Sequence, residues 1–229
     1  MKDLTIIYYT ANVLNENFAE KVRRQILIAA GNLPIISVSK KPLDFGTNIC
    51  VGETERSTIN IFYAILRGSK EAKTKYLALA EDDVLYSPGH FYSYRPHDDA
   101  FAYNLSKWTF LTWKRPPFFS LKFRRTLATL IAPRDLMIEY IEERFSKYPD
   151  ISAVPESIIP EPGRGYEKNS GYANRKAEDF YTYEPVVIFS HPQALGWGYL
   201  GKRKRAGIIR AYDIPYWGTA QRVLEDYYL

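Results

Sequence analysis

Apolar and polar positions alternate in blocks along the first third of the chain. Leu4 to Tyr9 is a short β-branched and aromatic run, followed by the turn Thr10-Ala11-Asn12 and a helical period from about Asn17 to Ala30. Gly31-Asn32 stops that helix, and Leu33 to Val38 supplies a second apolar strand. A Gly-punctuated loop from Phe45 to Gly52 leads to a helix expected from about Glu53 to Ser69, and then to a third strand, Lys75 to Ala80. That strand runs straight into Glu81-Asp82-Asp83. Strand and helix alternating in this way predict an α/β fold with a largely parallel sheet and right-handed crossovers.

The middle of the chain is less regular. Phe101 to Asn104, Lys107 to Thr112 and Leu127 to Ala132 read as strands, and Pro133 to Phe145 as an amphipathic helix with its proline in the first turn. From Tyr148 to Ala177 no hydrophobic period survives, so a long loop is expected, with Gly163, Gly165 and Gly171 permitting movement and Tyr166 and Tyr172 able to close on a ring. Pro185 to Ser190 reads as a last strand and Gly218 to Leu229 as a terminal helix. No boundary divides the chain, which reads as a single domain over residues 1–229.

Composition narrows the classes. With 229 residues, 46% hydrophobic and 25% charged, the chain has enough apolar mass for a core and is neither disordered nor fibrous. A single cysteine, Cys50, excludes an internal disulfide, and no Cys/His spacing matches a zinc module. No apolar run reaches membrane-spanning length, and Met1-Lys2-Asp3 enters a strand directly without a signal-peptide layout, so a cytoplasmic location is expected. Basic residues (31) outnumber acidic ones (26), for a net charge of +5, which favours anionic partners. The densest basic run, Lys202-Arg203-Lys204-Arg205 beside Gly196-Trp197-Gly198-Tyr199, suits a diphosphate, a nucleic-acid backbone or an anionic membrane surface touched from outside.

Candidate chemistry concentrates at Glu81-Asp82-Asp83. In open α/β sheets ligands bind beyond the carboxyl ends of the strands, so these acids face a crevice. If the chain stays extended there, Glu81 and Asp83 project to one side and Asp82 to the other. Carboxylates that close together call for a hard cation with oxygen ligands, Mn²⁺ or Mg²⁺. A solvated acidic turn is the competing reading.

Behind a first unit that begins with a bare strand, this acid-x-acid run resembles the nucleotide-sugar-dependent glycosyltransferases of the GT-A fold, family 2-like, over about residues 4–90. The resemblance implies a GT-A-like three-layer α/β/α sandwich with a mostly parallel central sheet. Nucleotide-sugar binding would fall in residues 1–100 and acceptor binding in 101–229. It also implies metal-dependent transfer of a sugar to an acceptor hydroxyl with inversion. Thr10, Ala11 and Asn12 would border the nucleotide, as would Lys40 or Lys41, Arg56 and Asp82. Asp83 would be the direct metal ligand, with Glu81 and a late histidine, His191, completing the site and His90 in reserve. His97 has no motif around it. An inverting transfer needs a general base, and Glu178-Asp179 matches the family's Glu-Asp pair in type, with Asp179 as the base and Glu156, Glu161 and Glu167 as competitors. The acceptor is left open among a glycan, a lipid-linked sugar, a small hydroxylated metabolite and a hydroxylated DNA base, and the oligomeric state is open too.

Two alternatives remain. A nucleotidyltransferase also places acids near a metal, but it wants a Gly-rich loop with a lysine after the first strand, and Thr10-Ala11-Asn12 supplies neither. A non-catalytic nucleic-acid or glycan-binding module would use the basic and aromatic surface without a cation. No Gly-x-Gly-x-x-Gly follows the first strand and no Walker-type Gly-x-x-x-x-Gly-Lys-Ser/Thr is present, so both common α/β nucleotide alternatives lose their fingerprints.

Overall fold

The computed structural model describes residues 3–53, 57–148, 150, 153, 161–163, 165, 167–190 and 206–228. The first strand, β1 (Leu4–Thr10), is buried along almost its whole length, as a mostly apolar strand covered on both faces is. Helix α1 (Glu16–Ala30) starts at Asn15, whose side chain accepts a hydrogen bond from the Phe18 N–H. It ends at Gly31, which adopts a φ of 55° that a side chain would disfavour. The chain returns as β2 (Ile35–Ser39), parallel to β1. Next comes β3 (Thr47–Cys50), a short edge strand inside what reads in sequence as a Gly-punctuated loop. Its side chains are half-exposed, so it lacks the apolar run that would announce it.

Helix α2 (Thr58–Glu71) is capped by Ser57 and packs closely on β1. A Cβ on its Gly68 would lie 2.7 Å from Ile7 Cγ2, so a side chain there would push the helix off the sheet. Then follow β4 (Tyr76–Glu81), β5 (Val84–Leu85), α3 (Pro88–Tyr92), β6 (Ala100–Asn104), β7 (Lys107–Leu111), β8 (Phe118–Leu121), β9 (Leu130–Pro133) and α4 (Arg134–Phe145). The chain closes with β10 (Lys176–Phe180), β11 (Val186–Ser190), β12 (Arg210–Ala211), β13 (Asp213–Ile214), β14 (Gly218–Thr219) and α5 (Ala220–Tyr228).

The main sheet has seven strands in the order β10-β6-β9-β4-β1-β2-β3. Only β9 runs against the rest, since it is antiparallel to both β4 and β6. One core cluster packs α1 and α5 on one face, and the other packs α2 and α4 on the opposite face. This is the α/β/α sandwich with a mostly parallel sheet that the sequence leads one to expect. The two anticipated halves share one sheet: β1 to β4 come from the first hundred residues, and β6, β9 and β10 from the remainder.

A second sheet, β12-β8-β7-β11-β5, stands beyond the carboxyl edge of the first. Three main strands run almost directly into it: β4 into β5, β6 into β7 and β10 into β11. Phe101–Asn104 and Lys107–Thr112 therefore belong to different sheets. The 148–177 stretch, expected to carry no element, holds a short 3-10 turn at Glu167–Ser170 and the start of β10.

Candidate functional site

Because β1 and β4 are parallel neighbours with Tyr9 opposite Glu81, their carboxyl ends meet at one edge, and β2 brings Ser39 level with Thr10. Side chains then stitch the three ends together. The Tyr9 hydroxyl donates to Glu81 Oε1 at 2.6 Å, and the Thr10 hydroxyl donates to Asp82 Oδ2. Thr10 Oγ1 accepts from the Asn12 N–H at 2.9 Å, and Asn12 Oδ1 accepts from the N–H groups of Lys40 (2.9 Å) and Lys41 (3.1 Å). Asn12 sits at a φ of 52°, a left-handed conformation that asparagine tolerates better than most residues.

Burial, reinforced by the Glu81 charge, drives the Tyr9 phenol well above its ordinary value, so it stays a hydrogen-bond donor. Tyr86 supports the same strand end: its hydroxyl accepts from the Glu81 N–H at 3.1 Å and donates to the Ala128 carbonyl at 2.9 Å. These two tyrosines escape a motif-based reading, although a phenol at a buried strand end next to an acid is a usable signal.

The acids do not keep the strand alternation expected of them. The chain turns at Asp82-Asp83, so Glu81 meets Tyr9 while Asp82 meets Thr10, and the pairing of Glu81 with Asp83 across one extended face does not follow. The Asp83 carbonyl accepts from the Phe189 N–H at 2.9 Å, which ties the acidic turn to β11. Across the turn lies α5, where burial and the Asp83 charge push the Tyr228 phenol up to about 12. Among the described residues no group of three or more His, Cys, Asp or Glu is arranged around a common metal position.

Several expected site residues fall elsewhere. His191, Arg56, Glu156, Tyr166 and Lys202-Arg203-Lys204-Arg205 lie outside the described residues. His90, the reserve ligand, is fully buried beside Tyr86, Phe91 and Phe180, and burial alone lowers its imidazole to about 3. It is a neutral core ring. His97 is exposed and pairs with Glu178.

Glu178 and Asp179 are on β10, the far edge strand, three strand spacings or roughly 14 Å from β4. Burial would raise the Glu178 carboxyl, but hydrogen bonds from His97 and Tyr94 outweigh it and hold the group below its ordinary value. Asp179 is held by Arg125 through two bonds, Nε to Oδ1 at 2.7 Å and Nη2 to Oδ2 at 3.0 Å, and Arg125 also donates to the Gly163 carbonyl. The pair therefore works as a clamp on the 161–163 segment. Replacing Asp179 with Asn should cost under about 1 kcal/mol in urea denaturation, as partly exposed pairs do, and leave nucleoside diphosphate affinity unchanged. A hundredfold drop in turnover at unchanged affinity would instead support Asp179 as the acceptor base.

The described parts of the expected flap are pinned. Gly163 is packed against Ala177, where a Cβ would come within 2.6 Å, and Tyr103 donates to the Pro162 carbonyl at 2.5 Å. Glu161 pairs with Arg124 at 3.7 Å, and buried Glu167 accepts from the Gly163 N–H at 2.6 Å. Tyr172 is buried, with the Arg144 guanidinium 4.5 Å and the Lys147 ammonium 4.1 Å from its ring, so it is not available to close on a sugar.

No protein-family model matches the sequence, and no curated protein matches it by sequence search. Among solved structures, the chain is similar to a glycosyltransferase involved in glycosylation of the major capsid of PBCV-1, at 12% identity and a TM-score of 0.46 over 81% of this chain and 91% of that one. It is also similar to the bifunctional IspDF of Campylobacter jejuni, at 8% identity and a TM-score of 0.37 over 79% and 50%. A third likeness is to the galactosyltransferase LgtC, at 9% identity and a TM-score of 0.45 over 97% and 95%. Likeness at this level carries no chemistry across, and the reading that follows comes from this chain's own residues.

Proposed function

We propose that the chain is a glycosyltransferase that moves a sugar from a nucleotide-sugar donor to an acceptor hydroxyl, with the donor at the carboxyl edge of β1, β2 and β4. The observation that carries this reading is the run Glu81-Asp82-Asp83 at the end of β4, held by hydroxyls from Tyr9 and Thr10. A carboxylate cluster at a parallel-sheet edge repels a diphosphate unless a cation lies between them. The donor set suits such a cation in kind, because its ligands are the hard carboxylate oxygens that Mn²⁺ and Mg²⁺ take. Asp83 would hold it from the turn, with Glu81 beside it at the strand end rather than on a shared extended face, and with His191 as the expected third ligand. When bound, such an ion neutralises the charge that develops on the leaving diphosphate.

The rest is work for the chain itself. The tie from Thr10 through Asn12 to Lys40 and Lys41 presets the loop that borders the nucleotide, with Ala11 between them offering no bulk. The Thr10 hydroxyl orients the Asp82 carboxylate, which would meet the ribose, and the Tyr9 hydroxyl orients Glu81. Donor atoms held in this way before binding cost less to order on binding. Inversion and the acceptor class belong to the same proposal, with glycan, lipid-linked sugar, small metabolite and hydroxylated DNA base as the candidates. Among the described residues no helix is long and apolar enough to cross a membrane.

A nucleotide-sugar hydrolysis panel with Mn²⁺ tests the reading. Release of nucleoside diphosphate from at least one donor is expected. Pyrophosphate release from a nucleoside triphosphate and a sugar phosphate, with no hydrolysis of any nucleotide sugar, would point to nucleotidyl transfer instead.

A further inference from the structure

Lys107 opens β7, three residues past the end of β6, and is only 5% exposed. Among the described residues its ammonium makes no hydrogen bond and no ion pair. Lysines are rarely buried, and a buried cation without a partner is costly, so the position calls for an explanation. The charged groups that face it are Arg124 and Lys122, from the segment after β8, together with the carboxylates of Glu161 and Glu81. Lys122 is its neighbour across the ladder, since Trp108 pairs with Leu121. Glu161 is engaged by Arg124, and Glu81 accepts from Tyr9. Among the described residues three cations and two carboxylates gather here, Arg124 and Lys122 having partners of their own, on the β6 side of the crevice, opposite β1 and β2.

We propose that Lys107 is the anchor of an anion subsite on the acceptor side of the crevice, which takes a phosphate or carboxylate group of the second substrate. This deepens the transferase reading and rests on it for its place in the reaction. The unpartnered ammonium supplies the donor, Arg124 and Lys122 supply the field, and burial makes each hydrogen bond to an anion stronger than it would be at the surface. The same environment, burial first and then Arg124 and Lys122, lowers the Lys107 amine to about 7, and a bound anion would reverse that shift. The acceptor so recognised is an acidic one, such as a sugar phosphate, a phosphodiester-linked polymer or a uronic acid, in place of a neutral glycan.

The probe is inorganic phosphate, titrated by calorimetry into wild-type protein, Lys107→Met and Lys107→Gln, with and without saturating nucleoside diphosphate and Mn²⁺; citrate serves as the carboxylate arm. Both variants are expected to lose at least tenfold in phosphate affinity while nucleoside diphosphate affinity stays within twofold. Phosphate should still bind when the nucleotide is present. Lys107→Met should also melt at a higher temperature than wild type, because it removes an unpaired buried charge, whereas a lysine kept for structure would give a lower melting temperature. Unchanged phosphate binding in both variants overturns the proposal. Displacement of phosphate by the nucleotide also overturns it, by assigning Lys107 to the donor's own diphosphate. The titration without nucleotide stands whether or not the donor site is as described, so failure of one reading is distinguishable from failure of the other.

Discussion

Between pH 6.5 and pH 4 the protein is expected to lose about 3 kcal/mol of stability through His90 alone, a roughly hundredfold change in the folding equilibrium. The sign follows from where the proton goes. The unfolded chain protonates this imidazole near pH 6.5, whereas the folded chain resists until about pH 3, because burial beside Tyr86, Phe91 and Phe180 gives the charged form no solvation. The unfolded state therefore binds more protons throughout that window, and stability falls with pH until about 3. His90→Phe keeps an aromatic ring in the cluster and removes the titration, and should flatten the loss. Its only described hydrogen-bonding neighbour is Asn104, at 3.4 Å, so little else is given up. Asp3 and Glu178, whose carboxyls are held below their ordinary values, contribute at the acid end only, since their stabilisation is present above about pH 4 and lost as pH falls further. Urea denaturation at pH 7, 5.5 and 4 separates the two: a wild-type slope between pH 6.5 and 4 that survives in His90→Phe would show that the ring is not its source.

The second large effect is expected at Asn12. Alanine there removes the acceptor for the Lys40 and Lys41 N–H groups and must still adopt a φ of 52°. Two lost hydrogen bonds at about 1 kcal/mol each, with about 1 kcal/mol of backbone strain, predict a cost of about 2–3 kcal/mol. Asn12→Gly relieves the strain but not the missing acceptor, so it should recover only the strain component. Both variants loosen the tie between the loops that follow β1 and β2, and nucleoside diphosphate affinity should fall ten- to hundredfold in both. Equal stability of the alanine and glycine variants would show that the left-handed backbone is not strained. Undiminished affinity in both would remove Asn12 from the nucleotide site.

What could be read in advance, and what could not, follows from where information sits in the chain. β1, β2 and β4 are largely apolar, buried on both faces and separated by well-punctuated helices, so their existence and parallel order are written in local pattern. The acidic run stands out because it ends a strand that is buried up to its last residue. β3 and β10 are edge strands with exposed or charged side chains, and β5, β12, β13 and β14 are two residues long, so their pairing comes from tertiary contacts that no local period encodes. The same reason governs the site. Thr10, Asn12 and Asp82 lie at predictable strand ends and come together, whereas Glu178 and Asp179 match a pair by type and are carried to the far edge of the sheet by β10. Lys107 carries no motif, and only its burial next to Lys122 in the basic segment after β8 distinguishes it from a surface lysine.

The central claim is that the acids after β4 bind a nucleoside diphosphate through a divalent cation. Calorimetry of nucleoside diphosphates against wild-type protein and Asp83→Ala, each with Mn²⁺ and with the cation chelated, tests it most directly. Binding to the wild type should require Mn²⁺ and weaken at least a hundredfold in Asp83→Ala, while His90 and Lys107 variants keep the wild-type metal requirement. Nucleotide binding that is equally tight without the cation, or that survives Asp83→Ala with its metal dependence intact, would contradict the account.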